Sequence, residues 1–263
     1  MIEIQQLEIH VSEACNLFCE QCSHFSNFSH SGVLSPERAL SEMSKWSGKL
    51  RPTTFALLGG EPTINPNLSR IVEIAREQWP ESNLLLVTNG FLLHRHPHLP
   101  KILESTRCKL AISIHHDSDE YRQKLLPTVN LVNSWVMNFN ICVQYRSSST
   151  RWRQLYHMED GKMLPYEDDS QRESWCDCQS KWCMQIREGH LWKCPQLAYL
   201  RPQLKKVNML DHPKWQPYLA YQPLPSTCTD DELNEFVHRE DESFCKMCPK
   251  KALQFELTSP LRP

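Results

Sequence analysis

The sequence lacks an excess of charge of either sign, a long apolar run and a targeting segment. Its 263 residues carry 29 Lys and Arg against 31 Asp and Glu, a formal net charge of -2. Such a balance gives no field that favours nucleic acid or an anionic membrane. No cationic start leads into an apolar stretch, and no run of about 18 apolar residues occurs. We therefore expect a soluble, cytoplasmic protein with neither a nucleic-acid nor a membrane partner.

Cysteine, in contrast, is abundant, with twelve residues in the chain. Without a secretory signal, metal ligation is favoured over a disulfide framework. Three cysteines lie between residues 15 and 22, and seven between residues 176 and 248. Cys108 and Cys142, in the stretch between, lie on strand patterns and are expected to be small buried side chains. The distribution predicts two metal sites, one in each part of the chain.

Strand and helix patterns alternate through the first part of the chain. The strand patterns cover residues 2–11, 54–60, 83–90, 108–116 and 139–145. A helix is predicted to begin at Ser35-Pro36-Glu37, and others cover residues 67–79, 99–106 and 119–126, the last ending at Pro127. A sixth strand pattern, near residues 153–158, is less regular. This alternation predicts an α/β fold with a parallel sheet built from βα units.

The segments that follow the strand patterns are polar or rich in glycine. Ligands of such sheets bind beyond the carboxyl ends of the strands, so this edge is expected to hold the chemistry. From about Leu164 the pattern changes to short pieces rich in Trp, Pro and Cys. We predict two domains, residues 1–163 and 164–263, the second too small to be stable without a metal or other crosslink.

The first cysteine loop contains Cys15, Cys19 and Cys22. Closely spaced thiolates favour iron–sulfur clusters or zinc, and a closed 4Fe-4S cluster takes four of them. With three protein ligands, one iron keeps an open coordination position, just as catalytic zinc sites do. The alternative is a structural zinc site completed by His24 or His10. The position of the loop at the edge of a βα sheet favours the cluster.

The C-x3-C-x2-C loop after the first strand, followed by Gly-Gly-Glu-Pro after the second, resembles the radical S-adenosylmethionine (SAM) superfamily. The resemblance implies a partial (βα)6 TIM-like barrel with a 4Fe-4S cluster on Cys15, Cys19 and Cys22. The open iron would bind SAM. An electron from a reductant such as flavodoxin or ferredoxin would then yield a 5'-deoxyadenosyl radical that abstracts a hydrogen atom from substrate.

The resemblance also implies contacts to SAM. Gly59, Gly60 and Glu61 match the segment that meets the SAM amino group, since glycine admits a close ligand and a carboxylate pairs with an ammonium. Asn89 and Ser113 lie where the family contacts the ribose, although a polar residue at a strand end is often only a turn former.

One position departs from the family. An aromatic residue that packs near the adenine usually precedes the third cysteine, and here that position is Gln21. Phe25 is a possible substitute. The departure does not affect cluster ligation.

The second cysteine set is centred on Cys183, Cys194, Cys245 and Cys248. A turn at Gly189 predicts a β-hairpin that brings the first two together. A structural zinc ribbon is one interpretation of four thiolates. The segment is also similar to the Twitch appendage, a shortened SPASM domain, which implies an auxiliary 4Fe-4S cluster on these residues. Cys176 or Cys178 could replace Cys183.

Substrate contacts are expected from strand-end residues, although solvated loop residues are the common alternative. The candidate catalytic residues are His115, Asp117, Tyr145 and Arg146, with His116 beside them. Cys228 would donate a hydrogen atom if the reaction is an epimerisation.

The predicted function is therefore that of a radical SAM enzyme that oxidises a small molecule, such as a sugar, a cyclitol or another natural product. The alternatives are crosslinking, oxidation or epimerisation of a ribosomal peptide, and a non-enzymatic protein with structural zinc. The chain starts directly at the first strand, which leaves no room for a peptide-recognition domain and favours the small-molecule substrate over the peptide.

Overall fold

A computed structural model describes residues 1–28, 30–148 and 152–261. Its strands are β1 (Ile2–Ser12), β2 (Leu50–Gly59), β3 (Asn83–Thr88), β4 (Lys109–Ile114), β5 (Val143–Ser147), β6 (His157–Glu159), β7 (Lys162–Leu164), β8 (Cys183–Arg187), β9 (His190–Trp192) and β10 (Leu224–Pro225). Its α-helices are α1 (Pro36–Ser47), α2 (Leu68–Gln78), α3 (Leu99–Thr106), α4 (Asp119–Asn138), α5 (Gln171–Cys176), α6 (Pro195–Lys206), α7 (Gln216–Leu219) and α8 (Asp230–His238). Short 3-10 helices cover Ser26–Phe28, Pro62–Ile64, Leu93–Arg95, Pro213–Trp215 and Ser243–Met247.

Eight strands form one sheet in the order β10-β9-β8-β1-β2-β3-β4-β5. The six strands from β8 to β5 are parallel to their neighbours, whereas β9 and β10 are antiparallel. The parallel-dominated α/β fold is therefore confirmed. β8 pairs with β1 from Gln6↔Cys183 to Ile9↔Ile186, so the sheet continues across the boundary predicted at residue 163. The division into two domains stays a prediction.

The two faces of the parallel strands differ in what they contact. Residues such as Leu7, Phe55 and Leu86 lie in the large core cluster together with Met43 and Trp46 of α1. The opposite face carries a small cluster, which includes Ala56, Leu58, Leu85 and Ala111. Alternate side chains along a strand point to opposite faces, which explains the separation. Leu58 of this second face, with Val87 beside it, lines the cavity described below.

Two sequence predictions are corrected by the structure. Helix α4 continues through Pro127 to Asn138, because Leu125, Thr128 and Val132 are buried at helical spacing and outweigh the lost backbone hydrogen bond. The irregular sixth strand pattern does not join the sheet. Arg153 there makes an isolated bridge with Gln254, and β6 pairs with β7 in a separate two-stranded sheet.

The C-terminal segment passes back over the cysteine loop. Leu261 forms a bridge with Leu17, and the backbone N–H of Phe18 donates to the carbonyl of Pro260 at 2.7 Å. His116 hydrogen-bonds through Nε2 to the carbonyl of Leu257 at 3.0 Å. The segment thus ties the cysteine loop to the end of β4. Among the described helices, none has the length and apolarity that a membrane crossing requires.

Candidate active site

A cavity of about 590 Å³ lies at the carboxyl ends of the parallel strands. This is the edge at which ligands of parallel sheets bind. The predicted cofactor residues that line it are Cys15, Cys19, Cys22, Gly59, Gly60, Glu61, Asn89 and Ser113. The structure therefore brings the whole predicted first site together around one space.

The first cysteine loop combines burial with backbone donors. Burial raises the pKa of the Cys19 thiol well above its usual value, and the neighbouring Cys22 and Cys15 raise it further. Burial also raises the pKa of Cys22, while hydrogen bonds from the backbone of Ser26, His24 and Phe25 lower it. Thiolates this close together repel one another unless a cation neutralises them. The set thus fits a cationic iron centre.

The turn after β2 passes against the cysteine loop with no space for side chains. A Cβ atom on Gly59 would lie 2.2 Å from the carbonyl oxygen of Ser12, and one on Gly60 would lie 2.3 Å from that of Ala14. The backbone N–H groups of Gly60 and Glu61 donate to these same oxygens, at 2.8 and 2.7 Å respectively. Glycine is needed here because two backbones approach each other closely.

The side chain of Glu61 is buried and has several donors of its own chain around it. Its carboxylate accepts from the N–H and hydroxyl of Thr63, from the Thr88 hydroxyl, and from the Asn89 N–H at 2.8 Å. Burial raises its pKa, and these hydrogen bonds lower it. The carboxylate therefore fixes the ends of β2 and β3 relative to each other, and its pairing with the SAM amino group stays a prediction.

Polar side chains from β3 and β4 complete this edge. Asn89 is buried, with Nδ2 donating to Asn16 Oδ1 at 2.8 Å. Ser113 and His115 line the cavity from the end of β4. Burial lowers the pKa of His115 to about 4, so its ring is neutral at neutral pH. Its Nδ1 is buried and has no hydrogen-bond partner among the residues that the structure describes.

Comparison with known proteins identifies this part of the chain. Residues 9–136 match the model of the radical SAM superfamily. They form a radical SAM domain. The chain is 28% identical over 133 residues to GTP 3',8-cyclase of Aquifex aeolicus, and the aligned stretch covers 49% of this chain and 41% of that protein. It is 30% identical over 100 residues to GTP 3',8-cyclase of Trichodesmium erythraeum, which covers 36% and 30% respectively. The chain thus spans less than half the length of these curated relatives.

A solved structure extends the likeness in fold beyond the radical SAM domain. BtrN in complex with AdoMet and 2-DOIA matches 82% of this chain and 85% of its own, with a TM-score of 0.50 and 17% identity. At this identity the match supports the fold alone. The radical SAM domain confirms the prediction of an iron–sulfur enzyme and implies a 4Fe-4S cluster and SAM as cofactors.

The second cysteine set lies beside the cavity of the radical SAM domain. A smaller cavity of about 50 Å³ is lined by Cys178, Cys194, Cys245 and Cys248. Cys178 and Cys248 line the large cavity as well. Burial raises the pKa of Cys245 to about 11, with a further contribution from Cys178. The thiols of this set therefore interact, and two of them face the radical SAM cavity.

No group of three or more His, Cys, Asp or Glu side chains in the described ranges is placed to hold a single metal ion. A single zinc ion requires its thiolates about 2.3 Å from one point. In a 4Fe-4S cluster each cysteine binds a different iron, so its ligands surround a volume and do not meet at a point. Cysteines of both sets line a cavity.

Cys183 lies beside the second set but does not line its cavity. It starts β8, accepts a hydrogen bond from Gln6 at 3.6 Å, and lines neither cavity. Cys178 and Cys194 contribute to raising the pKa of its thiol, so it is close to both, and the choice between Cys178 and Cys183 as the fourth ligand stays a prediction. Cys176 is exposed at the end of α5 and also lies off both cavities.

Most of the predicted catalytic residues lie away from the cavity. Asp117 is exposed, and Tyr145 and Arg146 are exposed on the edge strand β5. Cys228 is buried beside Lys49, whose Nζ donates to its carbonyl at 2.8 Å. Because Lys49 precedes β2, this is the edge of the sheet opposite to Gly59. Of the candidate catalytic residues, His115 lines the cavity and these four do not, so their catalytic roles stay predictions.

Sequence reasoning missed the contribution of residues 152–155 and of the C-terminal part to the cavity wall. Trp152, Arg153 and Gln154 line it, as do Gln179 and the buried Gln196. No motif marks these residues. A signal existed only for Gln21, whose departure from the family pattern pointed to a different use of that position.

Proposed function

We propose that this protein is a radical SAM enzyme that abstracts a hydrogen atom from a small polar molecule and oxidises it with the help of an auxiliary cluster. The observation that carries the proposal is the shared cavity. Its wall includes the three cysteines of the radical SAM domain and also two cysteines of the second set, Cys178 and Cys248. A substrate between them would be within reach of both.

The residues of the first site fit a 4Fe-4S cluster and SAM. Cys15, Cys19 and Cys22 would each bind one iron and leave the fourth open to SAM. A bound cluster together with SAM would supply the reductive cleavage of SAM to methionine and a 5'-deoxyadenosyl radical. Gly59 and Gly60 line the cavity, so their backbone would orient the amino-acid end of SAM.

The strand ends would orient the rest of SAM. The Ser113 hydroxyl lies on the cavity wall with no hydrogen bond to the described protein, so it is available to a ribose hydroxyl. Asn89 is held by Asn16 and by the Glu61 carboxylate. Such prior ordering reduces the entropy lost on binding. Glu61 acts here as a positioning residue.

The second set fits an auxiliary cluster on Cys178, Cys194, Cys245 and Cys248. These residues come from three separate segments, so a bound cluster would hold the C-terminal part together. Cys178 and Cys248 would place it at the cavity wall, in reach of an electron from the substrate. This position supports oxidation as the outcome of hydrogen abstraction.

The wall near the second set supports a small polar substrate. Its side chains are mainly amides and hydroxyls, including Gln179, Ser180 and Gln196. The one cation, among the described residues of this wall, is Arg153, which donates to the Asp177 carbonyl at 2.7 Å and lies 3.9 Å from the Asp177 carboxylate. Because these charges offset each other, the wall favours a neutral, hydroxyl-bearing molecule such as a sugar or a cyclitol.

The first test is anaerobic reconstitution with iron and sulfide, followed by reduction with dithionite in the presence of SAM. We expect about eight irons per chain, four for each of the two proposed 4Fe-4S clusters. We also expect release of 5'-deoxyadenosine. A reconstituted protein without iron, or one that never cleaves SAM, would rule out the proposal. Replacing dithionite with reduced flavodoxin or ferredoxin tests the predicted electron donor.

The second test addresses the substrate class. A deproteinised small-molecule extract and a ribosomal peptide fraction are each added, and 5'-deoxyadenosine is measured above the substrate-free level. We expect stimulation by the small-molecule extract. Stimulation by the peptide fraction alone would replace the small molecule with a peptide substrate.

A further inference from the structure

We propose that Trp152, with the ring of His115 beside it, forms the surface on which the adenine base of SAM stacks. The inference rests on the proposed binding of SAM. It assigns a subsite to a segment that lies between the two cysteine sets in sequence.

The aromatic rings that reach the cavity are few. Among the described residues, those with rings on its lining are His24, His115 and Trp152. Both ring nitrogens of His24 are hydrogen-bonded, Nδ1 to the Ser23 hydroxyl at 3.1 Å and Nε2 to the Glu8 carboxylate at 3.3 Å. Phe25 is buried against Tyr156 and is not part of the lining. The expectation that Phe25 would contact the base is therefore replaced by His115 and Trp152.

Trp152 is fixed in place from two sides. Its indole N–H donates to the carbonyl of His115 at 3.2 Å, and the two ring centroids are 5.6 Å apart with planes 31° from each other. Phe255 packs on it, with centroids 6.4 Å apart. A preordered indole offers a flat apolar surface to a nucleobase at little entropic cost.

The position along the sheet matches the far end of SAM. The amino-acid end would lie at the Gly60 turn after β2, and the ribose near Asn89 and Ser113, after β3 and β4. Adjacent strands are about 4.8 Å apart, so the ends of β2 and β4 are separated by about 10 Å. His115 and Trp152 lie at the β4 side of this path. The base, at the opposite end of SAM from the amino acid, therefore falls beside them.

His115 supplies a polar contact as well as a ring. Its Nδ1 is buried with no partner in the described protein, which is costly unless a ligand provides one. Adenine carries both hydrogen-bond donors and acceptors on its edge. The His115 nitrogen can therefore be satisfied by the base that stacks on Trp152.

Gln21 holds this segment against the cysteine loop. Its Oε1 accepts from the backbone N–H of Leu155 at 2.8 Å and of Tyr156 at 3.3 Å, and its Nε2 donates to the Tyr156 carbonyl at 3.1 Å. An aromatic residue at position 21 could make none of these bonds. Gln21 is thus a positioning residue that brings Trp152 to the cavity.

The test is calorimetric titration of the reconstituted, unreduced protein with SAM. Loss of base stacking costs about 1–3 kcal/mol, so Trp152→Ala is expected to weaken SAM binding by about tenfold or more. Trp152→Phe keeps a ring and should retain most of the affinity. Methionine, which has no base, should bind the wild type and Trp152→Ala equally. Phe25→Leu, a ring removed outside the cavity, is the matched control and should leave SAM affinity unchanged.

Two results would overturn the assignment. One is unchanged SAM affinity in Trp152→Ala, and the other is an equal loss of SAM and methionine binding, which would indicate general damage to the site. Iron content, measured on each variant, confirms that the first cluster is intact. A wild-type protein that carries iron but binds no SAM would instead defeat the proposed function itself.

Discussion

The two cysteine sets differ in how the chain assembles them. The first comes from one loop within residues 15–22, directly after β1, and faces a cavity of about 590 Å³. The second draws on three segments between residues 178 and 248 and surrounds a cavity of about 50 Å³. A set with three thiolates and a large cavity has room for a ligand, whereas four thiolates around a small one can be satisfied by the cluster alone. We interpret the first set as reactive and the second as closed.

The largest effect is expected from removing the reactive set. The triple substitution of Cys15, Cys19 and Cys22 by alanine should abolish SAM cleavage while the iron of the second set is retained. The measurements are iron and sulfide counts and 5'-deoxyadenosine release after reduction. Cys142, predicted from its strand pattern to be buried, is exposed, so Cys142→Ala serves as the control and should change neither. If the triple variant lost all its iron, the two sets would not be independent.

The second prediction compares two cysteines of the C-terminal part. Cys178→Ala should lose the auxiliary iron and lower Tm by about 5 °C or more, because the cluster links distant segments. Cys183→Ala should keep both clusters, since Cys183 lies off the cavity. Iron counts and thermal melts measure both. The reverse pattern would restore the sequence-based assignment of Cys183.

The third prediction concerns the contact between β1, which precedes the first cysteine set, and α6, which follows Cys194 of the second set. His10 of β1 is buried and stacks on Tyr199 of α6, with centroids 3.8 Å apart. Burial lowers its pKa from its usual 6.5 to about 4. Between these pH values the unfolded chain binds a proton that the folded chain does not, so stability falls as the pH falls. The loss attributable to His10 should reach about 3 kcal/mol near pH 4.

His10→Phe should remove that part of the pH dependence, measured as the free energy of unfolding in urea at pH 7 and near pH 4. The ring keeps its stacking surface, and the polar contact it loses is that between Nδ1 and the Glu13 carboxylate, 3.6 Å apart. An identical decline in the variant and the wild type would show that His10 does not contribute.

The smallest effect is expected at Cys228. Because it lies at the opposite edge of the sheet from the cavity, Cys228→Ala should leave SAM cleavage and substrate turnover unchanged. It should cost about 1 kcal/mol of stability through lost packing. Loss of turnover with normal SAM cleavage would reinstate Cys228 as a hydrogen-atom donor.

The sequence was sufficient for the parts of the site that depend on local spacing. The loop with Cys15, Cys19 and Cys22 and the Gly59–Gly60 turn follow directly on strands with clear periodicity. Parallel pairing then brings the strand ends to one edge. For the same reason the sequence predicted the positions of Ser113 and Asn89 at this edge, where both line the cavity. Helix α1 begins where Ser35 and Pro36 predicted, and Ser35 accepts the capping hydrogen bond from Arg38.

The remaining features depend on contacts between distant residues. Nothing near Cys183 or Cys178 shows which one faces Cys245, because that depends on how β8 is aligned with β1. Two donors to the Glu61 carboxylate, Thr88 and Asn89, come from the end of β3, and Gln21 binds a backbone about 135 positions away. Pro127 was misjudged because burial along α4 outweighed the local cost of proline.

The pairing of β1 with β8 also affects how the protein is made. β1 is synthesised well before β8, since the paired residues Gln6 and Cys183 are separated by 177 positions. Pairings over such distances form slowly, and during translation they wait until the second strand has left the ribosome. The nascent chain therefore presents its first cysteine loop beside an open strand edge. A cluster could therefore be inserted at the first cysteine loop before β8 pairs with β1 and covers that strand edge.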